Sequence, residues 1–270
     1  AVPMLLEALG VRKIHELFCE PNGQFPHNPE PLPEHLRELS AEVVARRAHL
    51  GIAVDPDVDR LAMVCEDGEM FGEEFTLVAV ADYVLSKTPG STVSNMSSTQ
   101  ALAEVTTKYG QKHFSSAVGE VHVVEAMKLH QAVIGGEGNG GVIYPELNYG
   151  RDALVGIALF LSHLAETKKN ASFLRKKLPD YSMCKMKVEL PEGLDSKVVL
   201  EKILSRYSKH NKIDLTDGVK ILFDREWIHL RRSNTEPIIR IYSESDSMVK
   251  AENLGKKILM DIKEMVNNDD

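Results

Sequence analysis

Residues 51–66 read GIAVDPDVDRLAMVCE, and they set the terms on which the remainder of the chain is understood. An apolar run, Gly51 to Val54, gives way to Asp55, Asp57 and Asp59, then Arg60, and the chain turns apolar again through Leu61 to Val64. Short, partly β-branched flanks bounded by turn residues predict two strands entering and leaving a tight loop. Three carboxylates so close together repel one another unless a cation gathers them. Oxygen-only ligands suit a hard ion, and Mg²⁺ takes a few carboxylates while keeping positions for water or a phosphate oxygen. A solvated acidic turn is the plain alternative, and the apolar flanks weigh against it. An EF-hand loop counted from Asp55 would close on Glu66, but Arg60 stands where that loop turns on Gly, and its flanks should be helices.

The chain has 270 residues, long enough for about two or three compact units, each with its own core. A formal net charge of −8 argues against a nucleic-acid surface. Cys19, Cys65 and Cys184 are odd in number, far apart and in no C-x-x-C pair, which favours a reduced, cytoplasmic protein. No apolar run reaches membrane-spanning length, so no membrane partner is expected. The opening AVPMLLEALG has no starting Met and reads as the middle of a helix. The chain is therefore expected to begin partway through a longer protein.

In chain order, Pro3 to Leu9 reads as helix and Ile14 to Cys19 as strand. Pro21 to Glu34, PNGQFPHNPEPLPE, is too rich in Pro and Asn for a regular element. A helix from Glu34 to about His49 comes next, with Leu36, Leu39, Val43 and Val44 at helical spacing. After the aspartate loop, Glu66-Asp67-Gly68 is a hairpin turn and Glu73 to Lys87 a helix. A second strand-helix series comprises Ser91–Ser94, Thr99–Tyr109, Lys112–Phe114, Val121–Leu129 and the strand Gln131–Ile134. This alternation predicts two consecutive α/β mixed-sheet domains, residues 1–88 and 89–177.

That last strand runs into GGEGNGG, Gly135 to Gly141. Gly136, Gly138 and Gly141 satisfy G-x-G-x-x-G literally, but a dinucleotide fingerprint needs a helix to open at once. The next residues are VIYPELNYG, Val142 to Gly150, which have no helical period. Gly lets backbone approach a ligand closely, while Glu137 and Asn139 offer an acceptor and a mixed donor-acceptor suited to sugar hydroxyls. A mobile connection is the alternative. Asp152 is expected to cap a helix from Ala153 to about Glu166, with a core stripe of Leu154, Ile157, Leu161 and Leu164 and with His163 beside it. Lys168 to Asp180 reads as a linker with a short helix.

From residue 178 a smaller α+β domain is predicted, in the order β-α-β-β-β-α. It opens on the alternating strand Cys184–Leu190, continues through the helix Ser196–Lys209 and the strands Val219–Phe223, Trp227–Leu230 and Ile238–Ser243, and closes on a helix from Ser247 to about Val266. Between the last two strands lies RRSNTEP, Arg231 to Pro237, with Arg240 beyond it. Arg231, Ser233, Asn234 and Thr235, with turn N–H groups, suit a phosphate dianion. Ser and Thr satisfying the turn while Arg pairs with Glu244 is the structural alternative.

Together these loops resemble the α-D-phosphohexomutases, the phosphomannomutase, phosphoglucomutase and phosphoglucosamine mutase group. DPDVDR is similar to that family's metal loop, GGEGNGG to its sugar-recognition loop, RRSNTEPIIRIYSE to its phosphate-binding signature, and GQFPHNPEP to a further family stretch. The resemblance implies an enzyme that interconverts hexose 1-phosphate and 6-phosphate through a phosphoserine and a hexose 1,6-bisphosphate, with Mg²⁺. It implies Asp55, Asp57 and Asp59 as metal ligands and Arg60 as the catalytic residue that steadies the transferring group. It further implies Glu137 and Asn139 on sugar hydroxyls, and Arg231, Ser233, Asn234 and Thr235 on the phosphate that is not reacting. Two departures stand out. No segment like the family's TASHNP serine loop occurs, so the chain by itself is expected to bind metal poorly and to be inactive. Gly141 stands where several members have His, which leaves His122 as an acid-base candidate. Phosphomannomutase or phosphoglucomutase is the expected activity; phosphoglucosamine mutase and a non-catalytic sugar-phosphate-binding protein are the alternatives.

Overall fold

The structure, a computed structural model, describes residues 1–191, 194–233 and 238–267. It divides into two compact units: Ala1–Ser115 with Gly119–Pro179, and the chain from Asp180 with Ser116–Val118. The first unit holds two consecutive α/β portions, and the second is a smaller α+β portion.

The first portion opens with α1 (Val2–Ala8), ended at Gly10 with φ 82°. The predicted strand Ile14–Cys19 is absent: among the described residues nothing pairs with this stretch, and an unpaired strand leaves its N–H and C=O groups without a ladder. A 3₁₀ turn at Pro33–His35 precedes α2 (Arg37–Arg46), which stops at Arg47 in the left-handed conformation. Leu36 and Val43 are buried as expected, but Val44 is 52% exposed and lines a shallow surface groove with Arg37, Ala41 and Gly68. β1 (Leu50–Val54) and β2 (Leu61–Cys65) form the predicted antiparallel hairpin, register Leu50↔Cys65 to Val54↔Leu61, with the aspartates at its tip.

Helix α3 (Glu73–Lys87) is the core of the first unit. Phe75, Leu77, Val78, Ala79, Val80, Ala81, Val84 and Leu85 are all buried, so the helix is apolar around most of its circumference. It packs against α4 (Ala101–Lys108), β2 and the sheet of the second portion. That sheet runs in the order β4-β3-β5-β6, from β3 (Thr92–Asn95), β4 (His113–Ser116), β5 (Ile134–Glu137) and β6 (Gly141–Ile143). α5 (Glu120–His130) covers β3 and β5 through Val123 and Met127.

β3 and β5 are parallel, Val93 opposite Gly135 and Ser94 opposite Gly136, while β5 and β6 are antiparallel. The strand expected to stop at Ile134 instead begins there, and the glycine-rich segment is a β-hairpin. Position 135 takes glycine because Met127 and Val93 press so close that a side chain there would collide with them. The element after the glycines is a strand, so the helix demanded by a dinucleotide fingerprint is not the next element.

α6 (Ala153–Thr167) starts at Asp152, whose Oδ1 accepts the N–H groups of Leu154 and Val155 at 2.8 and 3.0 Å, the expected cap. Its buried face is Ala153, Gly156, Ile157, Phe160 and His163, rotated from the predicted leucine stripe; Leu154, Leu161 and Leu164 are only half-buried. Phe160 meets Phe71 edge-on at 5.0 Å, and His163 stacks on Tyr83. α7 (Ala171–Lys177) lies within the expected linker, Ala171 and Leu174 buried.

The second unit is a fully antiparallel sheet in the order β7-β11-β10-β9-β8. Its elements are β7 (Ser182–Glu189), α8 (Ser196–Tyr207), β8 (Lys212–Asp214), β9 (Val219–Leu222), β10 (Trp227–Arg232), β11 (Ile238–Ser245) and α9 (Met248–Asn267). Of these, β8 was not read from sequence. α8 and α9 pack on one sheet face through Val199, Ile203, Ile258 and Ile262 against Val188, Ile221, Ile228 and Ile241.

Candidate functional site

The aspartate loop is shaped by backbone before any ligand is considered. Val58 lies at φ 59°, a left-handed conformation that costs a β-branched residue about 1–3 kcal/mol. Two contacts hold it: its N–H donates to the Asp55 carbonyl at 3.1 Å, and its carbonyl accepts the Ala153 N–H, at the start of α6, at 3.0 Å. The far end of the loop is pinned by the Leu61 N–H donating to the Gly140 carbonyl at 3.1 Å. Gly140 sits at φ 85° with Leu61 backbone where a Cβ would be, so only glycine fits this approach.

This frame gathers the three carboxylates. Asp55 is buried, Asp59 half-buried and Asp57 exposed, and one oxygen from each lies within 4.8 Å of the others. Asp55 Oδ1 accepts the N–H groups of Asp59 and Arg60 at 3.1 and 3.0 Å, and Oδ2 accepts Arg60 Nε at 2.5 Å. Burial pushes the Asp55 carboxyl up, but the Arg60 amide and guanidinium outweigh it and hold the group below its ordinary range. Burial and contact with Asp55 push Asp59 up to about 6, against the pull of Arg151. Three oxygen donors of graded exposure, one open to solvent, fit a hard divalent cation.

Two partners were not legible in the sequence. Arg60 Nη1 reaches Glu30 Oε1 at 3.2 Å, which gives the proline-rich GQFPHNPEP segment a structural tie to the loop. Arg151 lies between the aspartate loop and the glycine hairpin. Its Nη2 contacts Asp59 Oδ2, its Nη1 donates to Glu137 Oε2 at 2.7 Å, and its Nε is 3.3 Å from Glu120 Oε2, an ion pair without hydrogen-bond geometry. Its backbone N–H also donates to Glu120 Oε1 at 3.0 Å.

Glu137 is buried, and donors surround its carboxylate: Asn95 Nδ2 at 2.8 Å and the Gly119 N–H at 3.2 Å on Oε1, and Arg151 on Oε2. Asn139 is half-buried at the hairpin tip, its Oδ1 accepting the Gly141 N–H at 3.1 Å. His122 is 54% exposed on α5 and lies 3.7 Å from Glu125.

In the second unit, Arg231 Nη1 is 3.4 Å from Asp217 Oδ2, and the Ser233 N–H donates to the Ile238 carbonyl at 3.0 Å. Asn234 and Thr235 lie outside the described residues. Glu244 accepts the Trp227 indole N–H at 2.7 Å.

An α/β unit of two portions, with an aspartate loop braced on a glycine hairpin, and a smaller α+β unit are the architecture that comparison with known proteins also finds. Three models of the phosphoglucomutase/phosphomannomutase family match in order: alpha/beta/alpha domain II over residues 1–68, alpha/beta/alpha domain III over 73–181 and the C-terminal domain over 186–259. The chain belongs to the phosphoglucomutase/phosphomannomutase family. It is 38% identical to the phosphoglucomutase/phosphomannomutase of Thermococcus kodakarensis, over 96% of this chain and 57% of that protein. It is 35% identical to the probable phosphoglucosamine mutase of Methanopyrus kandleri, over 93% and 56%. Among solved structures, a phosphoglucomutase/phosphomannomutase family protein from Burkholderia thailandensis superposes with a TM-score of 0.79 at 26% identity, over 92% of this chain and 55% of that one. The chain thus spans somewhat over half the length of the relatives it matches.

Proposed function

We propose that the chain supplies the metal-, sugar- and phosphate-binding parts of a phosphohexomutase, divided near residues 88 and 177, that interconverts hexose 1-phosphate and 6-phosphate through a phosphoserine and a hexose 1,6-bisphosphate. The observation that carries this is the gathering of Asp55, Asp57 and Asp59, with oxygens within 4.8 Å, on a loop braced by the Glu137–Asn139 hairpin. Asp55, Asp57 and Asp59 would hold Mg²⁺, which when bound supplies charge neutralisation for a transferring phosphoryl group. Arg60, anchored by Asp55 and Glu30, keeps a fixed cationic edge beside the aspartates for that group. Glu137 and Asn139 orient sugar hydroxyls, and Arg231, Ser233, Asn234 and Thr235 grip the distant phosphate. Among the described residues no helix is long and apolar enough to cross a membrane. With three free cysteines, a reduced cytoplasmic location is the reading we favour.

The test is a panel of glucose, mannose and glucosamine 1-phosphates given to the protein at its full encoded length, with Mg²⁺ and catalytic bisphosphate. Turnover of at least one is expected, and glucose or mannose 1-phosphate should lead. Saturable binding with no turnover of any would replace this reading by a sugar-phosphate-binding protein. Absence of binding would remove both.

A further inference from the structure

Gly141, read in sequence as a departure, has a structural counterpart. A Cβ at 141 would lie 2.5 Å from Arg151 Cδ and 3.1 Å from its Cγ, so the stem of Arg151 occupies the space a side chain there would need. Gly141 has a backbone conformation open to any residue, since it is not among the positive-φ glycines, so the restriction is steric, from the Arg151 stem and from Asn139 Oδ1 at 3.0 Å. The Arg151 side chain is 19% exposed, and its guanidinium touches one carboxylate from the aspartate loop, Asp59, and one from the glycine hairpin, Glu137, with Glu120 alongside.

We propose that Arg151 is a positioning residue that links cation binding at the aspartates to sugar-phosphate binding at the glycine hairpin. This rests on the mutase reading above and adds a regulated step to it. Arg151 Nη2 and a divalent cation at the triad would draw on the charge of one carboxylate, Asp59. A cation at the triad weakens that ion pair and releases a charged donor beside Glu137, where an oxygen of the sugar phosphate can take it. A ligand that draws Nη2 toward itself frees Asp59 for the cation. Each event therefore favours the other, and the linkage is equal in both directions. Glu137 and Glu120 keep the guanidinium in place while its third contact changes hands.

The experiment is titration of Mn²⁺, followed by electron paramagnetic resonance, into the protein at its full encoded length, with and without saturating glucose 1-phosphate. For the unmodified chain the sugar phosphate should tighten Mn²⁺ binding by about fivefold or more. Arg151→Met should bind Mn²⁺ alone at least as tightly, because a competing positive charge is gone, yet lose most of the tightening. Gly141→Ala, which pushes the stem aside and crowds Asn139 Oδ1 without removing the charge, should lose it too. Retained Mn²⁺ binding shows that the variants are folded at the loop. Equal tightening in all three chains would overturn the linkage and leave the mutase reading intact, as would binding of both ligands by the unmodified chain with no tightening. If the unmodified chain binds neither Mn²⁺ nor glucose 1-phosphate, the mutase reading of these loops fails and the linkage falls with it.

Discussion

Asn95 donates its side-chain amide to Glu137 at 2.8 Å, joining the C-terminal ends of β3 and β5 through two buried groups. The same Asn95 accepts from the Ser97 N–H at 2.9 Å and from Ser98 Oγ at 3.1 Å, so its amide orientation is fixed. Asn95→Asp keeps both acceptor contacts but turns the donor toward Glu137 into a second carboxylate. The expected result is a loss of about 2–3 kcal/mol at pH 7 in urea unfolding, and wild-type stability would show that the Asn95–Glu137 contact is not held in solution.

Asp57 is the exposed member of the triad, and its carboxylate is the part of the site open to solvent. Asp57→Asn should remove most Mg²⁺ affinity in calorimetric titration while leaving unfolding free energy within about 0.5 kcal/mol. Unchanged Mg²⁺ affinity would take the aspartates out of the metal assignment.

Gly138 faces Glu74, whose carboxylate a Cβ at 138 would strike, and that carboxylate accepts the Thr99 N–H at 3.0 Å. Gly138→Ala must displace it. A destabilisation of about 1–3 kcal/mol is expected in thermal or urea unfolding. Wild-type stability would show that Glu74 moves at no cost.

His229 is 2% exposed on β10, and its Nε2–H donates to the Asp217 carbonyl at 2.6 Å. Burial pushes its pKa down to about 4; Lys220 and Arg231 add to the depression and Asp217 opposes it. The unfolded ring titrates near 6.5, so between pH 6.5 and 4 the unfolded chain binds more protons. Stability should therefore be whole above pH 6.5 and fall by up to about 3 kcal/mol as pH drops toward 4. Urea unfolding at pH 7.5 and 5 measures the slope, and His229→Gln should flatten it.

Much of this was legible because short-range chemistry dictated it. Helix α3 matches its predicted span at both ends, with acidic Glu73 and Glu74 in the first turn and Lys87 in the last. The Asp152 cap and the β1–β2 hairpin around the aspartates likewise needed only neighbouring residues. Failures came where distant contacts decide. Ile14 to Cys19 has strand-forming residues but no partner among the described strands, and Gly135 and Gly136 pair as strand because β3 lies alongside. The face buried by α6 was misread because Phe160 and His163 meet Phe71 and Tyr83, residues of another portion of the chain. Glu120 and Arg151 carry no local motif, and the GQFPHNPEP stretch does not reveal what its Glu30 pairs with. Each acquires its meaning from a carboxylate or guanidinium far off in sequence.

The left-handed Val58 and the Leu61 amide are both held by backbone far downstream, at Ala153 and Gly140. Closing such long separations is what slows folding, and synthesis delivers the chain from its N-terminus. On the ribosome, Asp55, Asp57 and Asp59 emerge long before the residues that clasp their loop. A growing chain should thus show little affinity for divalent ions until α6 has been translated, and acquire it abruptly once that helix docks.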